Sequence, residues 1–147
     1  MKKLLFVILF LSISHLQLRA QSVGYYPWNG LFSVSTNPAK PIWLDARLQT
    51  NTLFGSLSTE ILPMVNLKQT YHVQYYLGGG VRFNFIGAIA GVTKNLVEGY
   101  CLNVGARISP LKSNRNLKIV FEFSPYATRK LDSGVFRSNF GVAYVLR

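Results

Sequence analysis

The stretch that decides the fold is Tyr71-His72-Val73-Gln74-Tyr75-Tyr76-Leu77-Gly78-Gly79-Gly80-Val81-Arg82-Phe83-Asn84-Phe85. Taken every second residue, it separates into two faces. Tyr71, Val73, Tyr75, Leu77, Gly79, Val81, Phe83 and Phe85 form one, and His72, Gln74, Tyr76, Gly78, Gly80, Arg82 and Asn84 the other. Period-two alternation predicts a β-strand with one apolar and one polar side. The run is about 15 residues, well beyond the five or six usual in soluble sheets.

The same pattern recurs on either side. From Ile42 to Asn51, Ile42, Leu44, Ala46 and Leu48 oppose Asp45, Arg47, Gln49 and Asn51, with Trp43 at one end. From Glu60 to Lys68, Ile61, Val65 and Leu67 oppose Glu60, Asn66 and Lys68. Pro63 inside that run cannot donate to a ladder and predicts a bulge or local break. From Tyr100 to Ser109, Tyr100, Leu102, Val104, Ala106 and Ile108 oppose Cys101, Asn103, Gly105, Arg107 and Ser109. Leu117 to Tyr126 and Phe136 to Arg147 alternate likewise. These are six clear strands, linked by turn chemistry at Leu67–Thr70, Pro110–Asn116 and Leu131–Gly134. Residues 21–40 are rich in Gly, Pro, Asn and Ser and read as an irregular lead-in, with room for a short strand at Leu31–Ser35. That segment and Ala88–Val97 are the candidates that would raise the count to eight, where single-chain bacterial membrane barrels begin.

Composition chooses between a soluble sheet and a membrane barrel. Only 14% of residues are charged, whereas ten Phe, eight Tyr and two Trp are present. Soluble domains carry roughly 25% charged residues. The polar face mixes Arg82, Arg107 and Arg137 with Gly78, Gly80, Gly105, Gly141 and Ala143. Small residues beside long ones suit a narrow lumen, and the opposite face suits lipid. Tyr71, Phe85, Tyr100, Phe136 and Tyr144 fall near strand ends, where aromatic girdles belong. The expected fold is therefore an all-β, antiparallel, up-and-down transmembrane β-barrel of eight strands, spanning residues 41–147 with help from the lead-in.

The start of the chain predicts export. Met1-Lys2-Lys3 precedes an apolar run from Leu4 to Ile13, and Ser14 to Ala20 leads to a cut before Gln21. Such a run is too short to cross a bilayer, which takes about 20 apolar residues, and it matches a cleaved signal peptide over residues 1–20. Its removal takes Lys2, Lys3 and Arg19 and leaves 13 basic and 5 acidic residues, a net charge of +8. The basic residues are not clustered, which argues against a nucleic-acid partner. They fit contact with phosphates of lipopolysaccharide at a membrane surface.

Chemistry is sparse. His72 is the single histidine after the signal, so a multi-histidine metal site is excluded. No serine and acid flank it as a triad requires, and it reads as a hydrogen-bonding group on the lumen face. Cys101 is the lone cysteine, so no intramolecular disulfide forms. Gly78-Gly79-Gly80 lies within a strand and is not a phosphate loop. No catalytic, cofactor or metal residues are assigned, and the chain is read as a non-enzyme. Asp45, Glu60 and Glu122 against Arg47, Arg82, Arg107, Lys118 and Arg137 are expected to fill the lumen with ion pairs.

The last strand contains Asn139, Gly141, Tyr144 and Leu146 in the order polar-x-Gly-x-x-aromatic-x-hydrophobic. This resembles the β-signal read by the barrel-assembly machinery, although the chain ends in Arg147 where many such proteins end in Phe. Tyr25-Tyr26-Pro27-Trp28-Asn29-Gly30, Trp43 to Thr52 and Phe121-Glu122-Phe123-Ser124-Pro125-Tyr126 resemble small outer-membrane barrel proteins of the Bacteroidota. The resemblance implies a Gram-negative outer-membrane location, reached after export through the inner membrane, but no substrate. Two roles follow as expectations. One is a structural or interaction role beside other outer-membrane proteins. The other is lipid or ligand handling, binding or modifying lipopolysaccharide, motivated by Lys112, Arg115, Arg129 and Lys130.

Overall fold

Alternating sequences leave two things open: which strands pair, and how far each slides past the next. The computed structural model, which describes residues 21–49, 58–84, 91 and 95–146, answers both. Its strand segments are β1 (Ser22–Tyr26), β2 (Leu31–Ser35), β3 (Ile42–Gln49), β4 (Ser58–Gln69), β5 (Val73–Asn84), β6 (Val97–Ile108), β7 (Leu117–Phe123), β8 (Tyr126–Thr128), β9 (Gly134–Val135) and β10 (Ser138–Val145). Neighbouring segments pair antiparallel, β5 pairs with β6, and β1 closes the circle on β10.

Ten segments make eight strands. Cys101 pairs with Tyr126 and Val104 with Phe123 in one unbroken register, so β7 and β8 form a single strand. The gap falls at Pro125, which has no N–H to give but still accepts from Leu102 N at 3.0 Å. Opposite it, β9 and β10 are likewise continuous, with Ser124 N donating to Arg137 O at 2.7 Å.

The stagger comes from following one level round the wall. From Tyr25 the partners run Phe32, Leu48, Thr59 and Phe83 in one direction. In the other they run Val142, Ile119, Ile108 and Val73. The two routes meet on β5 ten positions apart, at Phe83 and Val73. Ten residues of shear over eight strands tilt the strands by about 40° and leave an interior that side chains fill.

The wall is uneven in height. At that tilt the 5-residue β1 and β2 rise about 13 Å. The 12-residue β4, β5 and β6 rise about 30 Å. Over the low side, Pro27–Asn29 makes one 3-10 turn closed by Gly30 at φ 55°. Trp28 there packs edge-on against Phe140 at 5.6 Å.

Several sequence expectations change. Where turn-forming residues predict an irregular lead-in, Ser22–Tyr26 is a barrel strand and Leu31–Ser35 another. Ser22 and Gly24 are inward positions, and a Cβ on Gly24 would lie 2.6 Å from Ser33 Oγ. Small size there is a packing need, not a turn signal. The eighth strand is therefore β1. Of the other candidate, 88–90 and 92–94 lie outside the described residues, and Val97 begins β6. Pro63 pairs opposite Leu44 without a bulge, because the ladder to β5 skips it and resumes in register at Met64 and Gly78. The irregularity lies at Asn66/Lys68 instead. Trp43, read as a strand-end residue, is buried in the lumen, 3% exposed. Asn51, Phe85 and Arg147 lie outside the described residues.

Candidate functional site

Inward positions build three polar layers along the lumen. The middle layer centres on Glu122, brought in by β7 and wholly buried. Arg47 of β3 grips it with Nη1 to Oε1 at 2.5 Å and Nη2 to Oε2 at 2.8 Å. Tyr76 Oη donates at 2.7 Å, Asn103 Nδ2 at 2.7 Å and Asn139 Nδ2 at 3.1 Å. Arg47 Nε also donates to Asp45 Oδ2 at 2.8 Å. A two-pronged guanidinium–carboxylate pair with its remaining lone pairs satisfied is the arrangement that offsets the desolvation of two buried charges. The neighbouring glycines make room for it. A Cβ on Gly105 would stand 2.6 Å from Tyr76 Oη and 2.9 Å from Phe121 O.

The layer toward the β8–β9 turn holds Arg82, Arg137, Glu60 and Glu98. Arg82 Nε donates to Glu98 Oε2 at 2.8 Å and Nη2 to Gln49 Oε1 at 2.6 Å. Arg137 Nη1 donates to Glu60 Oε1 at 3.0 Å, and the Arg82 and Arg137 guanidinium groups lie 5.3 and 5.6 Å from the centre of the Tyr126 ring. Asn84 and Ser58 also donate to Glu98. Sequence reasoning missed Glu98. By parity with Tyr100 and Leu102 it would face outward, but the ladder slips between Arg82–Gly99 and Phe83–Val97, and this bulge turns it inward. A glycine directly after a charge at a strand start is the signal that could have revealed it.

The third layer lies at the mouth where residues 22 and 145 meet. Trp43 Nε1 and Gln74 Nε2 both donate to Asn66 Oδ1, at 3.0 and 2.7 Å. Asn66 Nδ2 holds the β2–β3 turn through Pro38 O at 2.9 Å and Lys40 O at 2.6 Å. Arg107 stacks over Trp43 at 4.3 Å. Beside it opens a cavity of about 260 Å³ lined by His72, Gln74, Arg107, Arg115 and Lys118, among others, and by no carboxylate. His72 is not a lumen residue. It is exposed in the β4–β5 turn, its ring against Tyr71 at 4.7 Å.

The expected lumen cluster thus separates. Arg47, Asp45 and Glu122 meet; Arg82, Glu60 and Arg137 meet; Arg107 makes no direct ion pair among the described residues; and Lys118 donates to Ser109 Oγ at the mouth. Four of the chain's five acidic residues, Asp45, Glu60, Glu98 and Glu122, are inside, against Arg47, Arg82, Arg107 and Arg137. Among the described residues the lumen is formally neutral, and the remaining basic side chains lie toward its two ends. Lys112 and Arg115 lie in the β6–β7 turn, whereas Arg129 and Lys130 lie in the β8–β9 turn at the opposite end. Those four basic residues therefore form no single patch. Among the described residues no cluster of His, Cys, Asp and Glu could hold a metal. In comparisons with known proteins the chain matches no family model, no curated protein and no solved structure.

Proposed function

We propose that the chain is a small outer-membrane barrel with a structural or interaction role and a lumen that is closed to solutes. The observation that carries this is the outer wall. Ile42, Leu44, Leu48, Ile61, Val65, Leu77, Leu102, Val104, Phe121, Phe140 and Val142 all point outward and stay exposed. No charged side chain interrupts them on β3, β5, β7 or β10. Large apolar area on every side of a closed sheet is unfavourable in water and favourable in lipid. Inside, the wholly buried Arg47–Glu122 pair blocks the bore at mid-height. Partners on this reading are outer-membrane lipid, lipopolysaccharide, the barrel-assembly machinery during insertion and neighbouring membrane proteins. Asn139 and Gly141 of the assembly-signal pattern point inward, and Tyr144 and Leu146 outward.

The test is fractionation and gel mobility. The protein should partition with the outer membrane and migrate faster unheated than boiled. Recovery as a soluble periplasmic protein defeats the reading. In planar bilayers it should pass no stepwise current, and lipid A profiles with and without it should be identical by mass spectrometry.

A further inference from the structure

We propose that the low side of the barrel, formed by β1 and β2, packs against the low side of a second copy of this chain within the membrane. The inference rests on the reading of the outer wall as lipid-facing. The first observation is a difference in height. β5 is apolar or aromatic on its outward side from Val73 to Phe83 and rises about 30 Å. On the opposite side of the circle, β1 presents Val23 and Tyr25, β2 presents Phe32 and Val34, and both strands rise about 13 Å. Above them the Pro27–Asn29 turn adds Trp28, 74% exposed, and no further strand. The apolar band of a membrane barrel is about 25 Å tall. Lipid against the low side must therefore thin, and the cost rises with each ångström of mismatch.

The second observation concerns what covers that side. Apolar surface alone does not bring two barrels together, because acyl chains are as apolar as side chains. A height deficit does, because two thinned borders set against each other remove the thinned lipid between them. A second copy is the partner whose wall is low at the same level by construction. A two-fold axis along the membrane normal keeps both copies in one orientation and sets the same patch against itself. Nothing on the low side opposes this. β1 and β2 contain no charged residue, and Val23, Tyr25, Phe32 and Val34 all point outward. At the upper border Trp28 stands beside an open groove of about 480 Å³ lined by Phe121 and Phe140, which a neighbouring wall would cover.

Cross-linking in lipid vesicles of two thicknesses tests the pairing. Val34→Cys and Tyr25→Cys each place a thiol on the low side, and Leu77→Cys places one on the high side. Cys101 is buried inside the lumen, so the unsubstituted barrel is the control that forms no cross-link. Gel mobility of unheated samples first shows that each variant is folded and inserted. In dioleoyl phosphatidylcholine, oxidation with copper phenanthroline should join Val34→Cys or Tyr25→Cys barrels into dimers about tenfold more than Leu77→Cys barrels. In dilauroyl phosphatidylcholine, whose thinner bilayer suits the low side, that excess should vanish. A barrel that does not insert overturns the membrane reading and this inference with it. Inserted barrels whose low-side thiols cross-link no more than Leu77→Cys, or equally in both lipids, overturn the pairing alone and leave thinned lipid on that side.

Discussion

The middle layer of the lumen and the layer toward the β8–β9 turn, the upper layer, use the same chemistry in different surroundings. Arg47, Asp45 and Glu122 are fully shut off from solvent, whereas Arg82, Arg137 and Glu98 retain 17%, 16% and 25% side-chain exposure. Both layers set arginine against carboxylates across the lumen, Arg47 in the middle one and Arg82 and Arg137 in the upper one. The middle one arranges five donor contacts on a single carboxylate, because an ion in a dry site must have its lone pairs answered. The upper one leaves Arg82, Arg137 and Glu98 partly open to solvent and includes a looser contact, Arg82 Nη1 to Glu60 at 3.8 Å, although Glu60 itself is buried.

The sharpest way to break this contrast is Glu122→Gln. The change keeps shape and removes charge, leaving Arg47 buried with only Asp45 as its partner. It should cost about 3 kcal/mol or more of unfolding free energy, read as a lower urea midpoint. A loss below about 1 kcal/mol would put the middle layer on the footing of an exposed pair and end the distinction.

Gly105→Val tests the same layer through space instead of charge. Its branched side chain would run into Tyr76 Oη and the Phe121 carbonyl. Displacing Tyr76 also removes a donor from Glu122. The expected loss is about 1–3 kcal/mol. Combined with Tyr76→Phe, the Val variant should cost less than the two changes added separately, and simple additivity would show that the layer is not one unit.

Glu98→Gln probes the upper layer and should cost no more than about 1 kcal/mol. Salt sharpens the difference. At about 1 M salt the screening length is about 3 Å, so the Glu98→Gln deficit should shrink while that of Glu122→Gln persists. Equal salt sensitivity in both variants would mean that water reaches the middle layer.

How much of this is legible in the sequence depends on the range of the signal. The strands β3 to β7 and β10 are visible because outward positions such as Leu44, Ile61, Leu77, Val104, Phe121 and Val142 are apolar. That Asp45, Arg47, Glu122 and Arg107 share the inner face follows from parity alone. Which of them touch does not, because contact across the bore depends on the ten-residue stagger, a property of the whole circuit. β1 escapes notice because Ser22 and Gly24 are small for packing reasons, yet resemble a loop. Glu98 escapes because a bulge reverses parity at one point. The cavity at Arg107 joins β5, β6, β7 and three turns, and no local pattern foretells it.

Asp132 extends the comparison to a carboxylate with no burial at all. It lies in the β8–β9 turn, where Thr128 Oγ1 donates to Oδ1 at 2.6 Å. That hydrogen bond holds the carboxyl below its usual range. A depressed folded value means that the contribution is present above the ordinary carboxylate range and is lost as the pH falls through the folded value. Asp132→Asn should therefore change the urea midpoint at neutral pH by no more than the error of measurement. Any small difference from the parent should vanish in acid. If Asp132→Asn matched Glu98→Gln in cost, exposure would not be what grades these carboxylates, and the contrast between the layers would have to rest on the number of donors each one receives.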